Sequence, residues 1–341
     1  MAILWLSLLA GLMTWALAGL LRRYAIMNSL IDMPNARSSH QVPTPRGGGV
    51  AFVLVYLSVL FFLFFSGVMP TSGLLAFVGS GIIVAGIGFL DDHRHIPARW
   101  RLLAHFSAAI FGLYWLGGLP PIEVFGNTVN LSWLGHGLAL LFLVWLLNLY
   151  NFMDGIDGIA SIEAITTSIG GAALVVLSDS AGNETWQPLI MLAATVAGFL
   201  IWNFPPAKIF MGDAGSGFLG IALGLFSIQA AWLAPRFFWS WLILLAVFIV
   251  DATLTLFRRL IRKERLYQAH CSHAYQHAAR FYSAHKPVSL AVAAINTVWL
   301  FPLALCVGLG YFDGLSTLML ACLPLLCIAL RFNAGLEITD L

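Results

Sequence analysis

Charge is scarce in this chain. Only 9% of its 341 residues are Asp, Glu, Lys or Arg, against about 25% in a soluble domain. That shortage excludes an ordinary cytosolic enzyme and a disordered protein. Cysteine is scarce as well, with four in all. Cys306, Cys322 and Cys327 lie in apolar runs and Cys271 in a polar loop, a spacing of neither a metal knuckle nor a disulfide framework. The net charge of +2 gives no sign of a nucleic-acid partner, and none is expected. No basic region precedes the first apolar run. Arg22 and Arg23 follow it instead, so it reads as a retained spanning helix and not a cleaved signal. What the chain has in quantity is apolar residues, 60% of the total, with a mean hydropathy of +0.90.

A membrane-spanning helix takes about 20 apolar residues. Runs of that kind fall at about 3–22, 48–66, 73–90, 102–117, 134–152, 158–178, 188–204, 215–232, 237–257, 288–309 and 315–331. They are too long and continuous for barrel strands. The expected fold is an all-α polytopic membrane protein with about 11 transmembrane helices, a single domain over 1–341. Sixteen of the seventeen Lys and Arg residues fall in the odd-numbered gaps and the tail; Arg236 is the exception. Basic loops stay in the cytoplasm, which puts the N-terminus in the periplasm and the C-terminus in the cytoplasm. The segment 120–131 reads as a short periplasmic hairpin around Gly126-Asn127, between helices 4 and 5.

The inner loops 23–47, 91–101, 205–214 and 258–287 collect the polar residues, and with them the expected active-site face. Asp91, Asp92, Asp154, Asp157, Asp213 and Asp251 all lie at or near cytoplasmic helix ends. A carboxylate at membrane depth is costly and marks function, and four segments delivering carboxylates to one face suggest a shared cation. Asp91-Asp92 repel each other unless a cation or proton intervenes. In N-L-Y-N-F-M-D-G-I-D-G-I-A, Asn148, Asn151 and Asp154 are three apart and share a helix face. Amide and carboxylate oxygens suit a hard ion such as Mg²⁺. In K-I-F-M-G-D-A-G-S-G, Asp213 precedes a glycine-rich helix start with Lys208 nearby, a phosphate-binding arrangement that is not a P-loop. Arg37, His40 and Arg46 offer cations to anionic groups from a proline- and glycine-rich first loop. His270, His273 and His277 are spaced for one helical face, where either a Zn site or contacts to phosphate or sugar would fit; the carboxylates suit Mg²⁺ better and favour the latter.

Taken in order, R-S-S-H-x-x-P-T-P-R-G-G-G, G-F-L-D-D, N-x-x-N-x-x-D-G-I-D-G-I-A, P-P-A-K-I-F-M-G-D-A-G-S and the His-rich loop resemble the polyprenyl-phosphate N-acetylhexosamine-1-phosphate transferases (glycosyl transferase family 4). The first loop and the S-H-A-Y-Q string look most like the O-antigen-initiating members of the lipopolysaccharide pathway. The resemblance implies transfer of a sugar-1-phosphate from a UDP-N-acetylhexosamine to undecaprenyl phosphate, with release of UMP. The enzyme would sit in the bacterial inner membrane with its site facing the cytoplasm, and a homodimer is one assembly the family suggests. The implied cofactor is Mg²⁺, with Mn²⁺ as a substitute. By match of motif, Asp213 and Asn151 would serve the metal, and Asp91, Asp92, Asp154 and Asp157 the catalytic carboxylates. Arg46, Arg101, Asn148, Lys208, Phe210, His270 and His273 would bind substrate. Arg101 stands where some members have Lys, and H-C-S-H departs from the H-x-H-H of other branches. Phe210 matches an aromatic that stacks on uracil. Direct in-line attack and an aspartyl-phosphate route both remain open. The D-G-x-x-A-R pattern of CDP-alcohol phosphotransferases is missing, and a transporter would carry its polar residues near the midplane instead.

Overall fold

The computed structural model describes residues 2–34, 39, 42–94, 96–178, 184–264 and 270–336. A long apolar run in lipid pairs its backbone N–H and C=O groups most readily within one helix, and all eleven runs are helical. In chain order they are α1 (Ala2–Met27), α2 (Val50–Phe65), α3 (Thr71–His93), α4 (Ala98–Leu116), α5 (Ser132–Met153), α6 (Ile159–Leu177), α7 (Trp186–Asn203) and α8 (Asp213–Leu233). Then come α9 (Phe237–Leu244), α10 (Ala246–Ile261), α11 (Ala274–Phe281), α12 (Lys286–Ala294), α13 (Phe301–Gly308) and α14 (Gly314–Arg331), with a π-helical turn over Ile295–Leu300 joining α12 to α13. The chain is thus a helical, polytopic membrane protein.

The expected count of eleven spans is not what length and composition give among the described residues. Eight helices are long and apolar enough to cross a membrane, nine if α9 and α10 together make one. Helix α2 is short, at 16 residues, and α4 carries Arg99, Arg101 and His105. The 237–257 run, read as one helix, is two helices bent by 70° at Leu245. A break of this kind leaves carbonyls unpaired, and the Thr167 hydroxyl of α6 donates to the Leu244 carbonyl at 3.3 Å.

Two short hairpins interrupt the helices. β1 (Ile31–Asp32) pairs with β2 (Thr44–Pro45) in the first inner loop. β3 (Ile122–Val124) pairs with β4 (Asn127–Val129) between α4 and α5, where a hairpin was expected. Its turn is Phe125-Gly126, one residue earlier than the Gly126-Asn127 reading, and both turn residues have positive φ, as a tight two-residue hairpin turn requires.

Helix α8 is the most enclosed, with 83% of its apolar stretch buried, while α1 has 17% buried and lies at the periphery. Helices α3 and α5 pack along α8, and α1 and α6 along α7. Antiparallel neighbours bring the C-terminal ends of α3, α5 and α7 and the N-terminal ends of α4, α6 and α8 to the same end of the bundle. The acidic residues follow them there.

Candidate active site

The site begins with a glycine. A Cβ on Gly88 would lie 2.5 Å from the Ala214 backbone nitrogen, so α3 approaches the start of α8 this closely only because Gly88 has no side chain. One turn further on, Asp92 reaches the free N–H groups of α8. Its Oδ1 accepts the Asp213 N–H at 3.1 Å and its Oδ2 the Ala214 N–H at 3.4 Å. A carboxylate on the open donors of a helix start stabilises it by about 1 kcal/mol. Gly212, at φ +78°, makes the turn that aims Asp213; a Cβ there would meet Asp92 Oδ2 at 2.6 Å.

Asp213 stands between two donors. Asn151 Nδ2 donates to Asp213 Oδ1 at 3.0 Å, and Arg101 Nη1 lies 3.4 Å from Oδ2. Asn151 Nδ2 also bonds the Ser216 hydroxyl at 3.0 Å. Arg101 gives its shorter bond, 2.6 Å, to Asp91 Oδ2, while Asp91 Oδ1 accepts the Ile96 N–H. One guanidinium therefore bridges the G-F-L-D-D motif to the M-G-D-A-G-S motif.

A cavity of about 260 Å³ opens between these elements, lined by Asp92, Asn151, Asp154, Asp157, Asp213, Arg46 and Phe210, among others. Arg46 donates to the Asp92 carbonyl at 2.5 Å, which ties the first inner loop to α3. Asp157 Oδ2 accepts the Ala207 N–H at 2.9 Å. Burial first, and then the negative charges of Asp213, Asp92 and Asp157, push Asp154 well above the ordinary carboxylate range. Among the described residues, no three Asp, Glu, His or Cys side chains form a ready-made metal cage. The arrangement is a carboxylate-lined pocket, to be completed by whatever enters it.

Asp91, Arg101 and Asn148 stand apart from that lining. Asp91 is held behind the pocket by Arg101. Arg101 and Asn148 border a second cavity of about 190 Å³ on the other side of Asp213, with His105 and apolar walls from Val84, Ile87 and Leu147. Three expected substrate contacts are placed elsewhere. Lys208 Nζ sits 5.6 Å above the Trp202 ring, outside the cavity lining. His273 is 2% exposed and its Nδ1 lies 3.3 Å from Asp251, which also accepts the Ala274 and Tyr275 N–H groups at 2.9 Å each. It serves the docking of α11 onto α10. His270 stacks on His273 at 4.9 Å; burial, then the charges of His273 and Arg259, lower its pKa to about 3, which makes it a neutral ring and a poor anchor for phosphate. Arg37 and His40 lie outside the described residues.

Among the pocket-wall residues that sequence reading did not single out are Ser39, Asn203, Gln276 and His285. Asn203 Oδ1 accepts the Gly158 N–H at 3.0 Å and its Nδ2 donates to the Ile209 carbonyl at 3.1 Å, joining the start of α6 to the loop before α8. The amide at the end of an apolar run was the one available signal for Asn203. For the other three, no spacing pattern exists.

Carboxylates, an Asn and an Arg around a helix N-terminus in a helical membrane bundle are a donor and acceptor set suited to a phosphorylated group and its cation. The Glycosyl transferase family 4 profile matches residues 74–231. A probable undecaprenyl-phosphate N-acetylglucosaminyl 1-phosphate transferase of Bacillus subtilis is 28% identical over 287 residues, 82% of this chain and 78% of that protein. A phospho-N-acetylmuramoyl-pentapeptide-transferase of Streptococcus uberis is 30% identical over 276 residues, 73% of this chain and 79% of its own. A decaprenyl-phosphate N-acetylglucosaminephosphotransferase of Mycobacterium leprae is 29% identical over 243 residues, 66% of this chain and 60% of its own. The chain belongs to glycosyl transferase family 4, the polyprenyl-phosphate N-acetylhexosamine-1-phosphate transferases, and is an enzyme of the phosphotransferase class.

Proposed function

We propose that this enzyme transfers N-acetylhexosamine-1-phosphate from a UDP-sugar to undecaprenyl phosphate, releasing UMP and forming undecaprenyl-diphospho-sugar. The observation that carries the reading is the cluster at the start of α8. Asp92, Asp213, Asn151 and Arg101 are tied to one another beside a pocket that also holds Asp154, Asp157 and Phe210. Phosphoryl transfer needs positioning and charge neutralisation more than covalent chemistry. The pocket supplies an aromatic face in Phe210 and a cation in Arg46.

The carboxylate density fits Mg²⁺, with Mn²⁺ as a substitute. Asp154 is buried and faces the negative charges of Asp213, Asp92 and Asp157, and Asp213 and Asn151 line the same pocket. Hard cations of this kind take a few protein oxygens and complete their shell with phosphate and water. Bound there, the ion would neutralise the donor diphosphate and favour departure of UMP. The protein residues do the rest. Phe210 offers its ring to the uracil. Arg101 holds Asp91 beside Asp213, so that the acceptor phosphate meets a fixed charge pattern. Because a phosphate monoester has its second pKa near 6, the acceptor is mostly dianionic at neutral pH and needs little help from a base. Direct attack of the lipid phosphate oxygen on the β-phosphorus of the donor, with the bond to UMP breaking, is the favoured course.

The active-site face would lie on the cytoplasmic side of a bacterial inner membrane, as the basic residues of the inner loops in the sequence suggest, with 1–341 acting as one domain. Within the family we favour the first membrane step of O-antigen assembly, on the strength of the first loop and the S-H-A-Y-Q string. The relatives above carry the names of other polyprenyl-linked steps, so transfer for another envelope polymer is the second reading. Incubation of the purified protein with undecaprenyl phosphate and a panel of labelled UDP-N-acetylhexosamines tests both. One labelled, chloroform-soluble diphospholipid should appear, and its sugar names the pathway. Label that stays water-soluble with every donor overturns the proposal.

A further inference from the structure

His285, the residue just before α12, touches three separate segments. Its Nε2 lies 2.9 Å from the Ser39 carbonyl in the first inner loop. Its Nδ1 lies 3.1 Å from Asp157 Oδ1 and 3.4 Å from the Asp157 backbone nitrogen. The carbonyl can only accept, so Nε2 carries a proton. The carboxylate can only accept as well, so the 3.1 Å contact becomes a hydrogen bond when Nδ1 carries a proton too. A neutral ring would instead use Nδ1 to accept the Asp157 N–H, and the carboxylate would keep only the Ala207 N–H. The same helix supports the contact one turn later, where the Ser289 hydroxyl donates to the Asp157 carbonyl at 2.7 Å.

The place of this contact gives it consequence. Ser39, Asp157, Phe210 and His285 line both the 260 Å³ carboxylate pocket and a neighbouring cavity of about 620 Å³. They form the partition between the two. We propose that His285 is a positioning residue for Asp157: as an imidazolium it holds the Asp157 carboxylate and the Ser39 carbonyl together and fixes this partition for donor binding, and on deprotonation it releases the carboxylate. The inference rests on the transferase reading of the pocket.

The surroundings favour the charged ring. Burial disfavours its charge, but the hydrogen bond and charge of Asp157, helped by the Ser39 carbonyl, outweigh burial and hold His285 above its ordinary value. Other charged groups share its two cavities. Asp154 comes from the α5–α6 turn, Asp32 and Arg46 from the first inner loop, and Asp92 and Asp213 from the far wall. Arg280 of α11 and Lys286 of α12 line the larger cavity. Of these, only Asp157 is in hydrogen-bonding contact with the ring among the described residues. With the folded value raised, the imidazolium contact is complete at mildly acid pH and is lost as pH rises through that value.

Histidine-labelled protein in detergent tests this by NMR titration, with the resonance assigned through His285→Gln. In the wild type, His285 should titrate above the ordinary value of about 6.5, and in Asp157→Asn it should titrate lower. Turnover gives a second readout. The wild-type KM for the UDP-sugar should rise with pH through the His285 transition with kcat nearly level. In His285→Gln, KM should be raised roughly tenfold at about pH 6 and no longer change with pH. A His285 that titrates at or below its ordinary value and ignores Asp157→Asn overturns the proposal, as do parallel KM profiles in the two proteins. The titration needs no turnover, so failure of the transferase reading, seen as no UMP release at any pH, is distinguishable from failure of this one.

Discussion

Asp92 caps the helix that Asp213 begins: a side-chain oxygen of the one accepts the backbone N–H of the other at 3.1 Å. The pair joins the G-F-L-D-D and M-G-D-A-G-S strings, which lie over a hundred residues apart in the chain, into one charged unit. Asp92 spends its lone pairs on the helix start, and Asp213 is left to face the pocket with Asn151.

That division of labour separates the two residues experimentally. Asp92→Ala removes a helix cap and should lower stability by about 1 kcal/mol, while also reducing turnover. Asp92→Asn keeps an oxygen for the Asp213 N–H and should melt close to the wild type but remain slow. Thermal unfolding in detergent, alongside turnover of both variants, checks this. Equal melting losses in the two variants would contradict it.

Arg101 bridges Asp91 and Asp213 with one nitrogen. Its loss in Arg101→Ala leaves two carboxylates without their cation. Turnover should fall by roughly 10²-fold, as for the removal of one fixed donor from a transition-state site. Arg101→Lys keeps the charge and should retain most of the activity, in line with the Lys found there in some family members.

Phe210 and Lys208 are neighbours with opposite expectations. Phe210 lines the pocket, and stacking on a base contributes about 1–3 kcal/mol, so Phe210→Ala should raise the donor KM by roughly tenfold or more, and Phe210→Trp should not. Lys208 faces Trp202; Lys208→Ala should leave the donor KM within about twofold. A large KM effect at Lys208 would mean that the side chain swings into the pocket.

Asp154 sets a pH dependence. Its folded pKa is raised by burial and by the neighbouring charges, so the folded state keeps a proton that the unfolded chain loses near pH 4. The stability this contributes is complete below that pH and is lost as pH rises towards the folded value. The metal-free protein should therefore melt lower as pH increases. Added Mg²⁺ should recover stability at the higher pH, and Asp154→Asn should flatten the dependence. A flat melting profile in the wild type would remove Asp154 from the account.

Much of this was legible in the sequence, for physical reasons. Apolar runs in lipid have one economical backbone state, so all eleven runs appear as helices. Acidic residues are expensive at membrane depth, so Asp92, Asp154, Asp157 and Asp213 marked the pocket before any fold was known. The bend at Leu245 was not legible, because the residues around it are uniformly apolar and Thr167, which donates to the Leu244 carbonyl, comes from α6, far away in the chain. His285 was passed over because nothing in A-H-K-P announces a contact with Asp157, 128 residues away. His273 looked like a ligand by spacing, but a helical His repeat reads the same whether it faces substrate or, as here, Asp251.

The most direct test of the account is UMP release by the purified protein with Mg²⁺, undecaprenyl phosphate and UDP-N-acetylhexosamine. Release that requires both lipid and metal, and that disappears in Asp213→Ala while the variant remains folded, is the predicted result. Release that persists in folded Asp213→Ala, or that proceeds equally well without the lipid acceptor, would contradict it.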